Sequence, residues 1–251
     1  MAESENCLKF DFNGVELDMV RCPAGTFLMG SPDYELIRLH SETPHQVTIS
    51  KDFYIGRIPV TQGLYKTVTG NNPSTEDGNE NYPVESVSWF MAKKFCDKLN
   101  ELSATTRPSG YKFDLPTEAQ WEYACRAGTT TTLNNGKNIT TLTENCPNLD
   151  EVAWYSENSY LEIQPVGQKK PNAWGIYDMH GCIWEWCRDY YESYKSDSVT
   201  DPIGVGEAIW HVVRGGYYGS LPIQCRSDNR ESSLPSREYY AFGFRVALVW
   251  Q

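Results

Sequence analysis

No apolar run in this 251-residue sequence approaches the ~20 residues needed to cross a bilayer. The first residues, MAESENCLKF, have neither a basic start nor an apolar block, so no secretory leader and no membrane insertion is expected of the chain as it stands. Basic clusters are missing too, the longest run of Lys or Arg being Lys169-Lys170. With a formal charge of −11 and a pI near 4.9, the surface repels phosphates, which argues against nucleic acid as a partner. Eight cysteines are spread without CxxC spacing, and His40, His45, His180 and His211 show no paired ligand spacing, so neither a zinc cluster nor a dense disulfide scaffold is expected.

What the chain does contain is aromatic bulk: 16 Tyr, 9 Phe and 8 Trp, with 40% hydrophobic residues overall, enough for one sizeable core. No flexible junction divides it, so one domain over 17–251 is expected behind a lead-in of residues 1–16. Short apolar runs between turn residues predict strands at 10–12, 15–20, 25–31, 46–50 and 53–55, and again at 211–214 and 244–250. Strands at both ends suggest that the first and last segments share a sheet.

Helix signals punctuate the middle. Thr61 opens a short helix that stops at Gly70, and Ser88 precedes WFMAKKFCDKLNEL, in which Phe95, Leu99 and Leu102 recur at helical spacing. Thr117 with Gln120 three residues on forms a capping-box signature ahead of WEYACRAG. Cys96 and Cys125 fall inside these helices, where a cysteine is ordinarily a buried apolar residue. Residues 129–175, rich in Thr, Asn, Gly and Pro, predict long irregular connections of the kind that carry function or are pinned by an ion.

Several motifs occur in colinear order: FLMGS (27–31), IGRIPVTQGLY (55–65), YPVESVSW (82–89), LPTEAQWEYACRAG (115–128), PNAWGIYDMHGCIWEWCRDYY (171–191), VVRGG (212–216) and FGFR (242–245). Together they resemble the formylglycine-generating, sulfatase-modifying family. That resemblance implies an α+β, C-type-lectin-like fold with much irregular structure. It also implies a structural calcium ion held by Asp178 and Glu185 with the carbonyls of Gly181 and Ile183, a hard-cation, all-oxygen set. The residues alone leave a second reading open, in which the two carboxylates simply cap loops. His180, in DMHG, reads as structural.

Family enzymes carry two cysteines at the fourth and ninth positions after VVRGG, a thiolate pair suited to a cuprous ion. Those positions here are Ser220 and Cys225. A hydroxyl is a poor Cu(I) ligand and forms no disulfide, so no copper and no formylglycine-generating oxidation is expected.

From Tyr217 to Tyr240 the segment YYGSLPIQCRSDNRESSLPSREYY is rich in Tyr and Ser, a composition suited to recognition. It also resembles the variable regions of retroelement-diversified lectin-fold proteins, in which R-G-G, C-R-S, N-R and G-F-R are framework. The implied reading is a ligand-binding protein that displays Tyr217, Gly219, Ser220, Leu221, Ile223, Asp228, Ser232, Ser233, Leu234, Ser236, Tyr239 and Tyr240. Cys225, Arg226, Arg230 and Arg245 would be framework, and the partner a protein or cell-surface ligand met at a cell surface or outside the cell. Two alternatives stand beside it: an oxidoreductase of the formylglycine-generating or sulfoxide-forming type using Cys225, and a scaffolding module that has lost its ancestral chemistry.

Overall fold

The computed structural model describes residues 6–32, 35, 39–204, 206 and 208–251. In chain order the strands and helices are β1 (Cys7–Phe12), β2 (Val15–Cys22), β3 (Gly25–Met29), β4 (His45–Ile49), β5 (Phe53–Gly56), α1 (Gln62–Thr69), α2 (Trp89–Leu102), β6 (Tyr111–Asp114) and α3 (Glu118–Arg126). They continue with α4 (Pro147–Asp150), β7 (Ala153–Trp154), β8 (His180–Gly181), β9 (Trp184–Tyr190), β10 (Val199–Thr200), β11 (His211–Arg214), β12 (Glu231–Ser233), β13 (Phe242–Gly243) and β14 (Ala247–Trp250).

A five-stranded sheet runs β1-β2-β5-β14-β6, so the first and last strands do share a sheet, with β2 and β5 between them. The fold therefore starts inside the expected lead-in: β1 pairs along its whole length with β2 and sends Phe10 and Phe12 into the core, while residues 1–5 lie outside the described residues. A second sheet of four strands runs β12-β11-β9-β13 and carries the frame described below.

Helices α1, α2 and α3 begin where their caps dictate. Thr61 Oγ1 accepts from Leu64 N at 3.2 Å, and Ser88 Oγ from Met91 N at 3.4 Å. At α3 both halves of the capping box form, Gln120 N donating to Thr117 Oγ1 and Thr117 N to Gln120 Oε1. Helix α1 ends on Gly70 at φ 87°, a left-handed terminus that glycine adopts without strain. Helices α1 and α2 pack Leu64, Val68, Phe95 and Leu99 with Phe113 and Leu248 of the large sheet and with Phe244, which lies between β13 and β14. Leu102, which the spacing placed with them, is exposed at the last turn of α2. Helix α3 buries Trp121 in a second cluster with Met29, Ile55 and Met179.

Candidate functional site

Four arginines from the VVRGG–FGFR stretch are buried, and each meets an acid brought from a distant part of the chain. Arg214, at the end of β11, places Nε 3.1 Å from Glu118 and Nη2 on Glu122, both from α3. Its Nη1 donates to the carbonyls of Ser227 and Asn229. Arg226 bonds Glu42 at 2.7 Å and also reaches Glu35, Asp228 and Ser31 Oγ. Arg230 grips Glu118 with two parallel bonds of 2.7 Å, and its guanidinium lies 3.6 Å over the ring of Tyr194. Arg245 forms the same fork on Glu185, at 2.6 and 2.7 Å. Buried charges persist only when paired and hydrogen-bonded, and planar two-point pairing is what a guanidinium does best. Burial works to raise Glu118 and Glu122, but the arginines beside them outweigh it and hold both below the usual carboxylate range.

Between these arginines the chain turns outward. Leu221, Leu234 and Tyr240 are 37%, 40% and 41% exposed, Ser236 is exposed, and Tyr217, Gly219, Ile223, Ser232 and Tyr239 are half-buried. The tyrosines form one cluster, with Tyr239 and Tyr240 ring centroids 4.3 Å apart and Tyr217 6.1 Å from Tyr240. Tyr217 and Tyr239 also pack against the main core, so they support the fold as well as the surface. A Cβ on Gly219 would come 2.7 Å from the far end of the Tyr217 ring, so a larger residue there requires that ring to shift.

Three residues expected on this surface are not on it. Ser220, Asp228 and Ser233 are buried. Ser220 Oγ accepts from Tyr217 N at 3.0 Å and closes the turn. Asp228 is a counter-ion of Arg226, with Arg126 at 3.6 Å. Ser233 faces His211 in the β12–β11 ladder. All three sit where small polar groups serve the interior.

Ser220 and Cys225 do converge. Both face Gly216, where a Cβ would lie 2.9 Å from Cys225 Sγ and 3.3 Å from Ser220 Oγ, and Gly216 at φ 82° is left-handed. They do not fit a cuprous site, because one donor is a hydroxyl already engaged. The other is a thiol that burial pushes far above its ordinary value, in a cluster with Cys146, Leu149 and Tyr155.

The calcium set is likewise arranged otherwise than the resemblance implies. Both Glu185 oxygens are taken by Arg245, and Trp121 Nε1 donates to one of them at 2.7 Å. Asp178 accepts from Gly167 N at 2.6 Å, the Gly181 carbonyl accepts from Ile183 N, and Ile183 leads directly into β9. Among the described residues no three acidic, His or Cys side chains converge on a point that could hold a metal. In this arrangement the negative charge of Glu185 is balanced by a guanidinium. Burial then leaves the Asp178 carboxyl pushed up to about 6.

Residues 13–249 match the model of the sulfatase-modifying factor enzyme 1-like domain. The chain belongs to that family. The fold is α+β and C-type-lectin-like, as its solved relatives have it. Treponema denticola variable protein 1 superposes with a TM-score of 0.84 at 29% identity, over 96% of this chain and 98% of that one. The chaperone protein LppX of Paenibacillus barcinonensis is 30% identical over 79% of this chain and 78% of its own length. The formylglycine-generating enzyme of Streptomyces coelicolor is 32% identical over 68% of this chain, which spans 54% of that enzyme. The family thus includes enzymes and variable proteins alike.

Within this family member His180 is structural. Its Nδ1 donates to the Cys225 carbonyl at 2.6 Å, so Nε2 is the acceptor for Asn134 N at 3.0 Å. Burial lowers it to about 4, which keeps the ring neutral.

The sequence reading missed one element of the surface. Tyr160 and Leu161 are 88% and 65% exposed, and both have left-handed backbones, at φ 60° and 58°. That conformation costs a side-chain-bearing residue ~1–2 kcal/mol. The only sequence signal was the expectation that residues 129–175 hold functional loops.

Proposed function

We propose that this chain is a ligand-binding protein whose recognition face is built from Tyr217, Leu221, Leu234, Ser236, Tyr239 and Tyr240, with Gly219, Ile223 and Ser232 at its margins, and that it has no formylglycine-generating activity. The observation that carries this reading is a contrast within one stretch: Arg214, Arg226, Arg230 and Arg245 are buried in charge pairs, and Leu221, Leu234 and Tyr240 between them are exposed. Tyrosine supplies broad amphipathic contact area at low entropic cost. Diversification of this face by a retroelement belongs to the same proposal and is checked in the parent genome, by a neighbouring reverse transcriptase and a near-repeat of the codons for this segment.

The competing reading is an oxidase working through Cys225. Against it stand the hydroxyl of Ser220 in the partner position and the buried, protonated state of the Cys225 thiol. Incubation of the protein with Cu(I) and a cysteine-containing sulfatase peptide is expected to give neither stoichiometric copper binding nor aldehyde. Tight copper binding that disappears in Cys225→Ser, or aldehyde formation by the unaltered protein, overturns the proposal in favour of the enzyme.

A further inference from the structure

The loop that carries Tyr160 and Leu161 is tied to the backbone of the recognition segment by hydrogen bonds. Ser159 Oγ donates to the Tyr218 carbonyl at 2.6 Å, Ser156 N to the Ser220 carbonyl at 3.0 Å, and Leu161 N to Ser159 Oγ at 3.0 Å. Two consecutive side-chain-bearing residues in left-handed conformation persist only where their surroundings fix them. Here the fixed conformation holds an aromatic and an aliphatic side chain out in water beside Tyr217–Leu221.

The surroundings of this face carry exposed acids: Glu144, Glu157 and Glu162 within residues 138–168, and Glu76, Asp77 and Glu80 within residues 70–87. Glu151 is paired with Lys137 and Lys170, Glu85 is buried, and the exposed Arg237 stands 4.6 Å over the Tyr239 ring. The two stretches meet where Val166 N donates to the Asn81 carbonyl at 3.0 Å, and Glu85 and Glu76 both act on the Tyr218 phenol. A ring as exposed as Tyr160 protrudes, and a protruding ring is received by a partner's concavity rather than closing over a small molecule. The acidic rim disfavours a polyanion.

We propose that Tyr160 and Leu161 form, with Leu221 and Tyr240, one continuous contact face for a polypeptide partner whose apolar side chains are ringed by lysine or arginine. This rests on the recognition reading above and adds to it a second loop and the chemistry of the partner. The apolar centre supplies contact area, and the acidic rim selects for and steers a basic partner.

The full chain is panned against a random twelve-residue peptide library displayed on phage, and selected peptides are then measured by fluorescence polarisation. Selected sequences are expected to be enriched in Lys and Arg together with apolar residues, and to bind more weakly as salt is raised. Replacement by Tyr160→Gly with Leu161→Gly is expected to weaken them at least tenfold, without lowering the melting temperature, because glycine adopts these backbone angles freely. Tyr160→Phe with Leu161 retained is expected to keep the affinity. Peptides weakened by Tyr240→Ala and Leu221→Ala but indifferent to the double glycine variant overturn this inference alone. Peptides indifferent to both sets sink the recognition reading as well. A library that yields no binder, or only acidic or neutral ones, overturns the assignment of the partner's chemistry.

Discussion

Arg214, Arg226, Arg230 and Arg245 lie within the same short stretch of chain as Leu221, Leu234 and Tyr240, yet the two groups live in different solvents. The arginines are buried against Glu118, Glu122, Glu42 and Glu185, which arrive from α3, from the turn before β4 and from β9. The apolar residues face water, Leu221 on a turn in which its N donates to Gln224 Oε1 at 3.0 Å and Tyr240 against the rings of Tyr239 and Tyr217. The difference teaches that polarity is a poor guide to burial here. In this stretch the four paired arginines are interior, and Leu221, Leu234 and Tyr240 are exterior on the chain that those pairs fix.

The sharpest way to break this comparison is to remove a frame charge. Arg214→Met leaves Glu118 with Arg230 alone and Glu122 with Arg126, at a site buried from solvent. Breaking one side of a buried pair costs about 3–5 kcal/mol. At roughly 2–4 °C per kcal/mol for a chain of this size, thermal denaturation is expected to fall by about 10 °C. A shift of a degree or two shows that the arginines do not hold the frame. The effect is expected to shrink for Tyr217→Ala and Tyr239→Ala, whose rings are half-buried against the core, to about 1–2 kcal/mol each in urea unfolding. It vanishes for Leu221→Ala, Leu234→Ala and Tyr240→Ala, each within about 0.5 kcal/mol. If those three cost as much as Tyr217→Ala, the outward-facing group belongs to the interior and the contrast fails.

How much of this was legible in the sequence depends on where each residue's partner lies. Helices α1, α2 and α3 were legible because their caps are local: Thr61, Ser88 and Thr117 signal through residues three positions away. Strand β9 was not, because it is nearly continuously buried and therefore shows no alternation, and because Glu185 and Asp189 make it look like a loop. The family motifs identified the arginine frame. They could not identify its counter-ions, so Asp228 read as surface although its partners are Arg226 and Arg126. Ser220 and Ser233 misled for the same reason, a small hydroxyl having no signature of burial. Tyr160 and Leu161 escaped notice because their display depends on backbone handedness, which composition does not record.

The smallest expected effect concerns the one frame acid that the resemblance assigned to an ion. Glu185 in this arrangement has its charge balanced by Arg245, and its Oε2 also accepts from Trp121 Nε1. A calcium ion bound only by the folded state adds stability by mass action, about 2.7 kcal/mol at a hundredfold excess over its dissociation constant, and that increment is lost on chelation. With Arg245 as the counter-charge there is no such increment to lose. Thorough chelation is therefore expected to leave the melting temperature within about 1 °C, and added calcium to leave it there. A drop of several degrees reversed by calcium but not by magnesium would place an ion among Asp178, Gly181, Ile183 and Glu185, with Arg245 displaced from at least one carboxylate oxygen. In that event Arg245→Met should be far milder than Arg214→Met, since the ion would supply the positive charge that Glu185 needs. Equal losses in the two arginine variants, with no response to chelator, leave the guanidinium as the sole counter-ion.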